Sequence, residues 1–123
     1  MNFKRSLAAL GLAAGVALGA AVVAPAANAA PAGCASGGLC VYWNTNYQGS
    51  VQTVYQNNYD LTGYANFKTA LHGSAFNNGN SCNVTLWKET GYQGTPWHLD
   101  RGTGWTDIGD NLATIGSNKW CLY

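Results

Sequence analysis

The sequence predicts an all-β domain, and three observations support that prediction. After residue 29 the chain is rich in Gly, Asn, Thr, Tyr and Trp and poor in Leu, Glu, Lys and Ala, a mixture that favours strands and turns over helices. Short apolar or alternating runs recur at 39–43, 51–55, 83–87 and 96–99. Clusters of turn-forming residues separate the runs, at 44–46, 77–80 and 101–104. Short strands punctuated in this way are typical of a β-sandwich or β-barrel.

A cleavable secretion signal is predicted over residues 1–29. A short, positively charged start ends at Arg5, and an apolar run of Ala, Leu, Gly and Val follows from Leu7 to Val23. Pro25 breaks the run, and residues 27–29 (Ala-Asn-Ala) supply the small-x-small pattern that signal peptidases cleave after. The alternative is a membrane anchor, since the run approaches the roughly 20 residues that span a bilayer. The cleavage site follows at once without a positive stop-transfer cluster, which favours a secreted, extracellular protein. The Ala- and Gly-rich composition of this predicted signal is typical of bacteria.

The predicted mature chain, residues 30–123, is long enough for one small domain. A core of that size gives only marginal stability, so covalent cross-links are expected. We divide the mature chain into an N-terminal segment with a disulfide loop, 30–39, and a two-motif β domain, 40–123. The two motif repeats run over about 40–81 and 82–123.

Four cysteines in a short exported chain predict two disulfides. They are Cys34, Cys40, Cys82 and Cys121. Of the three pairings that four cysteines allow, we favour Cys34–Cys40 and Cys82–Cys121. The first would close a short loop whose glycines permit a tight path, and the second would tie the start of the chain's second half to its end.

The charge of the mature chain is close to neutral. Its basic residues are Lys68, Lys88, Arg101 and Lys119, and its acidic residues are Asp60, Glu89, Asp100, Asp107 and Asp110. No basic stripe is present, which argues against nucleic-acid binding, and no Lys/Arg cluster suggests an anionic membrane surface. We therefore expect no nucleic-acid partner, no membrane partner after signal cleavage, and a monomer.

An internal repeat organises the domain. Residues 42–49 (Tyr-Trp-Asn-Thr-Asn-Tyr-Gln-Gly) match residues 87–94 (Trp-Lys-Glu-Thr-Gly-Tyr-Gln-Gly) at an offset of 45 positions. The same offset brings 66–69 (Asn-Phe-Lys-Thr) onto 111–114 (Asn-Leu-Ala-Thr). Two separate matches at one offset indicate a duplicated unit. Each unit is too small to bury a hydrophobic face alone, so we expect the two to pack together.

Each repeat begins with a pattern that predicts a tight folded hairpin. The pattern is an aromatic, four residues, a second aromatic, one residue and a glycine. The second aromatic can pack back over the bend near the hairpin glycine, which supplies a backbone angle or close approach that a side chain would block. These motif residues are Tyr42, Tyr47 and Gly49 in the first copy, and Trp87, Tyr92 and Gly94 in the second.

The duplicated motif resembles that of the βγ-crystallin superfamily, whose Greek keys carry this aromatic and glycine pattern. Each superfamily motif later carries a stretch of the form Asn/Asp-Asn/Asp-x-x-Ser/Thr-Ser, at 65–70 and 110–115 here. The secretion signal, the early Cys-x5-Cys and the two-motif length resemble most the bacterial branch, which contains secreted peptidase inhibitors of the streptomycete metalloproteinase inhibitor type. The resemblance covers essentially all of the mature chain. It implies a βγ-crystallin-like sandwich of two Greek-key motifs, with two four-stranded sheets.

The function that the resemblance implies is that of a secreted peptidase inhibitor with an extracellular protease as its partner. Inhibitors of this family carry a longer, disulfide-bracketed loop in the second motif, whereas Trp87–Gly94 is a short hairpin without a Cys pair. No reactive residue is therefore carried over, and the inhibitory loop is unknown. A candidate is Ser74–Ser81, anchored at Cys82, because its Asn-Gly content and lack of an apolar strand pattern predict a surface loop. The alternative is a non-inhibitory module that binds calcium, glycan or cell wall, or a killer-toxin-like protein of the same fold.

The resemblance gives a reason to consider one metal, calcium. Relatives that bind Ca²⁺ use oxygens from both motif stretches. The matching residues here are Asp110, Asn111 and Thr114 in the second copy, and Asn66 and Thr69 in the first. A single carboxylate is a poor complement to the six to eight oxygens that Ca²⁺ takes. We expect at most one weak site, and the alternative is that these residues make loop hydrogen bonds.

Enzymatic and sugar-binding roles have weaker support in the sequence. The mature chain has two histidines, His72 and His98, one glutamate and no recognisable catalytic motif. We predict no catalytic residue and place each histidine at the surface or on a strand. Exposed aromatic rings can stack on sugars, and Trp105, between Gly104 and Thr106, is the best candidate for an exposed ring.

Overall fold

Seven strands and one short helix form the part of the chain that a computed structural model describes, residues 29–123. They are β1 (Leu39–Tyr42), β2 (Val51–Val54), α1 (Ala65–Lys68), β3 (Ser74–Asn77), β4 (Val84–Trp87), β5 (Trp97–Leu99), β6 (Gly104–Trp105) and β7 (Ser117–Trp120). Short 3₁₀ turns at Thr45–Tyr47 and Thr90–Tyr92 lie between β1 and β2 and between β4 and β5. The predicted secretion signal lies, except for its last residue, outside the described residues.

The four predicted apolar runs all form strands, namely β1, β2, β4 and β5. The sequence did not reveal β3, β6 and β7, because Ser-Ala-Phe-Asn, Gly-Trp and Ser-Asn-Lys-Trp lack a clear apolar alternation. The prediction that Ser74–Ser81 is a surface loop is wrong for its first half. Ser74–Asn77 is a buried strand between two neighbours, and tertiary pairing overrides its polar composition.

The strands form two antiparallel sheets with orders β2-β1-β3-β6 and β5-β4-β7. The repeat is visible in their register. Val41 of β1 lies opposite Gln52 of β2, and Leu86 of β4 lies opposite Trp97 of β5, so the offset of 45 is kept in both hairpins. The two copies therefore begin with strand pairs of the same register.

Each copy contributes its third strand to the sheet of the other copy. β6 belongs to the second copy but pairs with β3 of the first, with Ala75 opposite Trp105. The reciprocal contact is a single bridge between Asn58 and Asn118. The second sheet thus has three strands and one bridge, where four strands were expected. Asn58 donates its side-chain amide to Gln56 O at 2.8 Å, a local hydrogen bond of the kind that competes with a ladder.

Apolar side chains of both sheets fill the space between them. The core consists of Leu39, Val41, Val54, Leu61, Phe67, Ala70, Ala75, Val84, Leu86, Leu99, Ile108, Leu112 and Ile115. Among residues 29–123, no helix has the length and apolar character needed to cross a bilayer. The fold is an all-β sandwich whose two repeats share one core.

Two disulfides brace the sandwich. Cys34 pairs with Cys40 and Cys82 pairs with Cys121, with Cα–Cα distances of 5.7 and 4.9 Å. These are the pairs that the sequence favoured. The first closes a loop just before β1, and the second joins the segment before β4 to the end of β7.

Candidate functional site

The two aromatic and glycine motifs form folded hairpins of one backbone shape. Three positions in each have a left-handed backbone: Asn46, Tyr47 and Gly49 (φ 57°, 59° and 83°), and Gly91, Tyr92 and Gly94 (φ 70°, 63° and 96°). The second aromatic of each motif packs edge-on against the first, with centroid distances of 5.6 Å for Tyr47 on Tyr42 and 5.3 Å for Tyr92 on Trp87. Ring packing helps to hold two tyrosines in a conformation that costs free energy.

The hydroxyl of a buried serine makes hydrogen bonds to the backbone of each folded hairpin. Neither serine was predicted from the sequence. Ser74 Oγ donates to Asn44 O at 2.7 Å and accepts from Tyr47 N at 2.8 Å. Ser117 Oγ donates to Glu89 O at 2.7 Å and accepts from Tyr92 N at 3.0 Å. The signal was a repeated Gly-Ser pair, at 73–74 and 116–117. The offset between the two Gly-Ser pairs is two residues shorter than that of the aromatic motif, so the pairs do not align when the repeat is compared at 45 positions.

The two later motif stretches meet directly between the sheets. Ala70 N donates to Ala113 O at 2.9 Å, and Ile115 N donates to Phe67 O at 2.8 Å. Phe67 and its counterpart Leu112 are both buried in the shared core. The matched stretches thus form the contact that joins the two repeats.

The asparagines of these stretches have different roles, although they align in the sequence. Asn66 is 3% exposed and donates its side-chain amide to Val41 O and Ser50 O, both at 2.9 Å. Its backbone N–H donates to Gln52 Oε1 at 2.7 Å. Asn111 is exposed and lies on the surface of the second copy. The first stretch is therefore fastened to its hairpin, whereas the second is not.

The residues that match calcium ligands of the relatives differ in their exposure and in their hydrogen-bond partners. Asp110 is exposed, and its Oδ1 lies 3.5 Å from His72 Nε2. Thr114 Oγ1 donates to Lys68 O at 3.1 Å, and Thr69 is exposed. Within residues 29–123, no three His, Cys, Asp or Glu side chains come together as a metal-binding group. With one carboxylate, the remaining oxygens would have to come from amides, hydroxyls, backbone or water, and the weak calcium site stays a prediction.

The two histidines lie in different surroundings. His72 is exposed, and its Nδ1 lies 3.2 Å from Asp107 Oδ1, an ion-pair geometry that contributes little at a surface. His98 Nδ1 lies 3.0 Å from Thr85 Oγ1, but Thr85 is fully buried. Both histidines are where the sequence placed them, at the surface or on a strand.

A loop closed by the Cys34–Cys40 disulfide precedes β1. Gly37 N donates to Asn78 O at 2.7 Å, and Asn78 N donates to Gly38 O at 2.9 Å. The side-chain amide of Asn78 donates to Cys34 O at 3.1 Å. One residue of the segment after β3 therefore fixes the loop through three hydrogen bonds, in addition to the disulfide.

The tip of this loop is small and exposed. Ala35 and Ser36 are exposed, and Ser36 Oγ lies 3.5 Å from Asn80 Oδ1. Gly37 has φ 91°, a backbone conformation that side chains rarely adopt. The tip thus exposes backbone and small side chains to solvent.

The chain before the loop is also fastened to the sandwich. The hydroxyl of Tyr42 donates to Ala32 O at 2.8 Å, and Cys34 N donates to Pro31 O at 3.2 Å. Burial raises the pKa of Tyr42, and the neighbouring Tyr47 raises it further, so the phenol stays a neutral donor. The loop is therefore held on both sides.

The second half of the predicted loop, residues 78–81, is a surface connection beside the disulfide loop. Buried Asn77 organises it, because its side-chain amide donates to Cys82 O at 3.1 Å and Leu99 O at 2.9 Å. Its Oδ1 accepts from Gly79 N at 2.8 Å. The connection from β3 to β4 is thus held by one buried amide.

A third connection, residues 100–103, lies beside the other two. Arg101 Nε donates to Gly79 O at 3.0 Å, and Gly102 N donates to Asn77 O at 2.8 Å. A polar cleft of about 100 Å³ is lined by Asn78, Gly79, Arg101 and Gly102. We call the three connections, residues 34–38, 78–81 and 100–103, the braced end.

The described fold is that of the βγ-crystallins, a class of two-Greek-key sandwiches. IPSE/alpha-1 from Schistosoma mansoni eggs is similar with a TM-score of 0.60 and 23% identity, over 72% of this chain and 88% of that one. A structure of the eye lens beta-gamma-crystallin domain fold has a TM-score of 0.61 and 19% identity, over 76% and 95%. A beta gamma crystallin from Ciona intestinalis has a TM-score of 0.55 and 15% identity, over 68% of this chain and 99% of that one. At these identities the likeness shows the fold alone.

The family follows from the sequence itself. The family model of peptidase inhibitor family I36 matches residues 27–99, which include the disulfide loop, the first Greek key and the first hairpin of the second. The chain belongs to peptidase inhibitor family I36. No curated protein matches the sequence.

Proposed function

We propose that this protein is secreted and inhibits an extracellular protease by presenting the braced end to the protease cleft. Membership in peptidase inhibitor family I36 supports a protease as the partner and a role other than catalysis. The observation that carries the choice of surface is the Cys34–Cys40 loop, which is fixed by a disulfide and by three hydrogen bonds to Asn78.

Rigidity is the physical reason why this surface suits inhibition. A loop that is ordered before binding avoids the free-energy cost of ordering, and affinity is gained by that saving. If a protease cut a bond between Cys34 and Cys40, the disulfide would still join the two new ends. The hydrogen bonds of Gly37 and Gly38 to Asn78 would keep them close. Release of products is therefore slow in this geometry.

The chemistry of the tip indicates which proteases fit. Residues 35–38 are Ala-Ser-Gly-Gly, without charge or bulk. Such a segment suits a narrow cleft whose subsites accept small side chains, and it supplies no charged residue to proteases that require one. The braced end carries one cation, Arg101, and one carboxylate, Asp100, so it has no net charge of its own.

Secretion is supported by two independent features. The first 29 residues have the three-part pattern of a secretory signal. The four cysteines of residues 29–123 all form disulfides, as is typical of oxidising compartments. Mass spectrometry of exported protein should find Ala30 as the first residue.

The test is a titration of the mature protein against a thermolysin-like metalloprotease and a subtilisin-like serine protease. We expect stoichiometric inhibition of one class. Ala35→Trp should weaken that inhibition at least about tenfold, the equivalent of about 1.4 kcal/mol, because an indole at the tip does not fit a narrow cleft. The matched control is Ala65→Trp, since Ala65 is exposed on α1 and lies outside the braced end.

Two outcomes would contradict the proposal at different levels. Equal inhibition by Ala35→Trp and Ala65→Trp would show that another surface contacts the protease. No inhibition of either class, together with retention on chitin or peptidoglycan, would favour the non-inhibitory binding module instead. Circular dichroism of each variant would establish that the sandwich is intact.

A further inference from the structure

A second cleft opens at the side of the sandwich where β5 and β6 are the edge strands. It has a volume of about 110 Å³ and is lined by Trp97, Trp105, Asp107, Ile108, Asn111 and Leu112. Both indole rings are half-buried and pack against the core, and the loop between β6 and β7 supplies the other four residues. None of the six lining residues belongs to the braced end.

The first Greek key provides an internal comparison, because its equivalent corner is filled. Gln52 stands at the register position of Trp97, and its Oε1 accepts from Asn66 N at 2.7 Å. The amide of Asn66 occupies the corner and donates to Val41 O and Ser50 O. In the second copy the equivalent Asn111 is exposed and lines the cleft instead. In the second copy no asparagine amide fills the corner, and the cleft occupies that space.

The second indole is also specific to this copy. Trp105 lies on the strand that crosses to the other sheet, opposite Ala75. The reciprocal crossing of the first copy places Asn58 opposite Asn118, with the Asn58 amide 3.1 Å from Asn118 Oδ1. The first copy thus has polar residues, Gln52 and Asn58, at the positions equivalent to the two indoles. The Trp97 and Trp105 pair is thus not required by the fold.

The lining combines flat apolar faces with polar groups at the rim. Asp107 is held in place, because its Oδ1 accepts from Gly109 N at 2.8 Å and lies 3.2 Å from His72 Nδ1. Asn111 adds an exposed amide with both donor and acceptor capacity. Concave sites with aromatic walls and a few fixed polar groups are typical of small-ligand sites.

We propose that this cleft binds one sugar ring of a neutral oligosaccharide. A pyranose has apolar C–H faces that pack on indole rings and equatorial hydroxyls that reach a carboxylate and an amide. The volume is well below the roughly 300–1,000 Å³ of sites that enclose a drug-sized ligand, so a single ring enters and the rest of the oligosaccharide stays outside. The carboxylate of Asp107 selects uncharged sugars over acidic ones. The site would tether the inhibitor to a polysaccharide surface while the braced end stays free.

The test uses NMR and tryptophan fluorescence on the mature protein with chitotriose and cellotriose as probes. We expect saturable shifts of two indole N–H signals with one of these probes. Trp105→Ala and Asn111→Ala should each weaken binding at least about tenfold. The matched control is Trp43→Ala, because Trp43 is 47% exposed on the first hairpin and lies outside the cleft. Asn111 is exposed, so its variant keeps the test valid if Trp105→Ala fails to fold.

Absence of any shift with both probes at millimolar concentration would overturn the proposal. Equal loss of binding in Trp43→Ala would show that the sugar stacks on a different ring. Protease inhibition is measured on the same variants. No residue that lines the cleft belongs to the braced end, so inhibition should be unchanged in Asn111→Ala. A protein that binds sugar but inhibits neither protease would contradict the proposed function and leave the sugar-binding proposal standing.

Discussion

Ser74 and Ser117 are equivalent residues of the two Greek keys, and each hydroxyl bridges the two ends of a folded hairpin. Ser74 connects Asn44 O with Tyr47 N, and Ser117 connects Glu89 O with Tyr92 N. Both serines are fully buried. The hairpin backbone passes through a left-handed tyrosine in each copy, and the serine hydroxyl satisfies the tyrosine N–H that this turn leaves without a ladder partner.

Ser117→Ala should therefore lower the free energy of unfolding by about 2 kcal/mol, because it leaves a carbonyl and an N–H unsatisfied beneath the hairpin. Chemical denaturation measures the loss. The control is Ser81→Ala, an exposed position whose change should stay within about 0.5 kcal/mol. Equal effects at the two positions would contradict the bridging role of Ser117.

Asn66→Ala and Asn111→Ala should differ, although the two residues align in the repeat. Removing the Asn66 amide leaves the carbonyls of Val41 and Ser50 without their donor, which should cost about 2–3 kcal/mol. Asn111 is exposed, and its replacement should change stability by less than about 0.5 kcal/mol. Thermal unfolding of both variants tests this. Comparable losses would mean that Asn111 is fastened in solution as Asn66 is.

The two disulfides should contribute unequally. In the chain-entropy model, a loop with sequence separation 39 contributes about 4 kcal/mol, and one with separation 6 contributes about 2 kcal/mol. Replacing Cys82 and Cys121 by Ser should lower the melting temperature more than replacing Cys34 and Cys40. The Cys34/Cys40 variant should instead lose protease affinity while it remains folded. Loss of inhibition only in the Cys82/Cys121 variant would contradict our choice of loop.

Calcium binding should be weak and confined to one site. Calorimetry of the mature protein should give a dissociation constant of about 10⁻⁴ M or weaker, and Asp110→Asn should abolish the heat. Asp60→Asn removes another exposed carboxylate and is the matched control. Micromolar binding at two sites would show that Asn66 and Thr69 contribute a second site. No heat at millimolar calcium would leave these residues as loop hydrogen-bonding groups.

The hydroxyl of Tyr42 should stabilise the fold only while it is protonated. Burial raises its folded pKa above 10.0, so its contribution is fully present below pH 10.0 and is lost as the pH rises through the folded pKa. Tyr42→Phe removes the donor to Ala32 O and should cost about 1 kcal/mol at neutral pH. Denaturation at several pH values measures the difference, which should decrease as the pH rises through the folded pKa of Tyr42. A difference that grows with pH would contradict the assignment.

The sequence alone predicted the parts of this protein that depend on local pattern. The strand pairs β1–β2 and β4–β5 follow from short apolar runs around a tight turn, and the repeated aromatic and glycine residues mark those turns. Cysteine spacing favoured the observed pairs, because a short Gly-containing loop before β1 brings Cys34 and Cys40 together. Such features involve residues that lie close along the chain or repeat at one offset.

Only the tertiary structure decided the features that join distant segments. β3 and β7 lack an apolar alternation and become strands because β1 and β4 offer them open edges, and the short β6 crosses to the sheet of the other repeat. The placement of Ser74 under a hairpin some thirty residues earlier has no local signature. Asn66 and Asn111 align in sequence, yet Asn66 is buried and donates its side-chain amide to Val41 O and Ser50 O, whereas Asn111 is exposed and borders a cleft. Burial and hydrogen bonding depend on which side chains meet across the sandwich, and a periodic pattern along one chain does not contain that information.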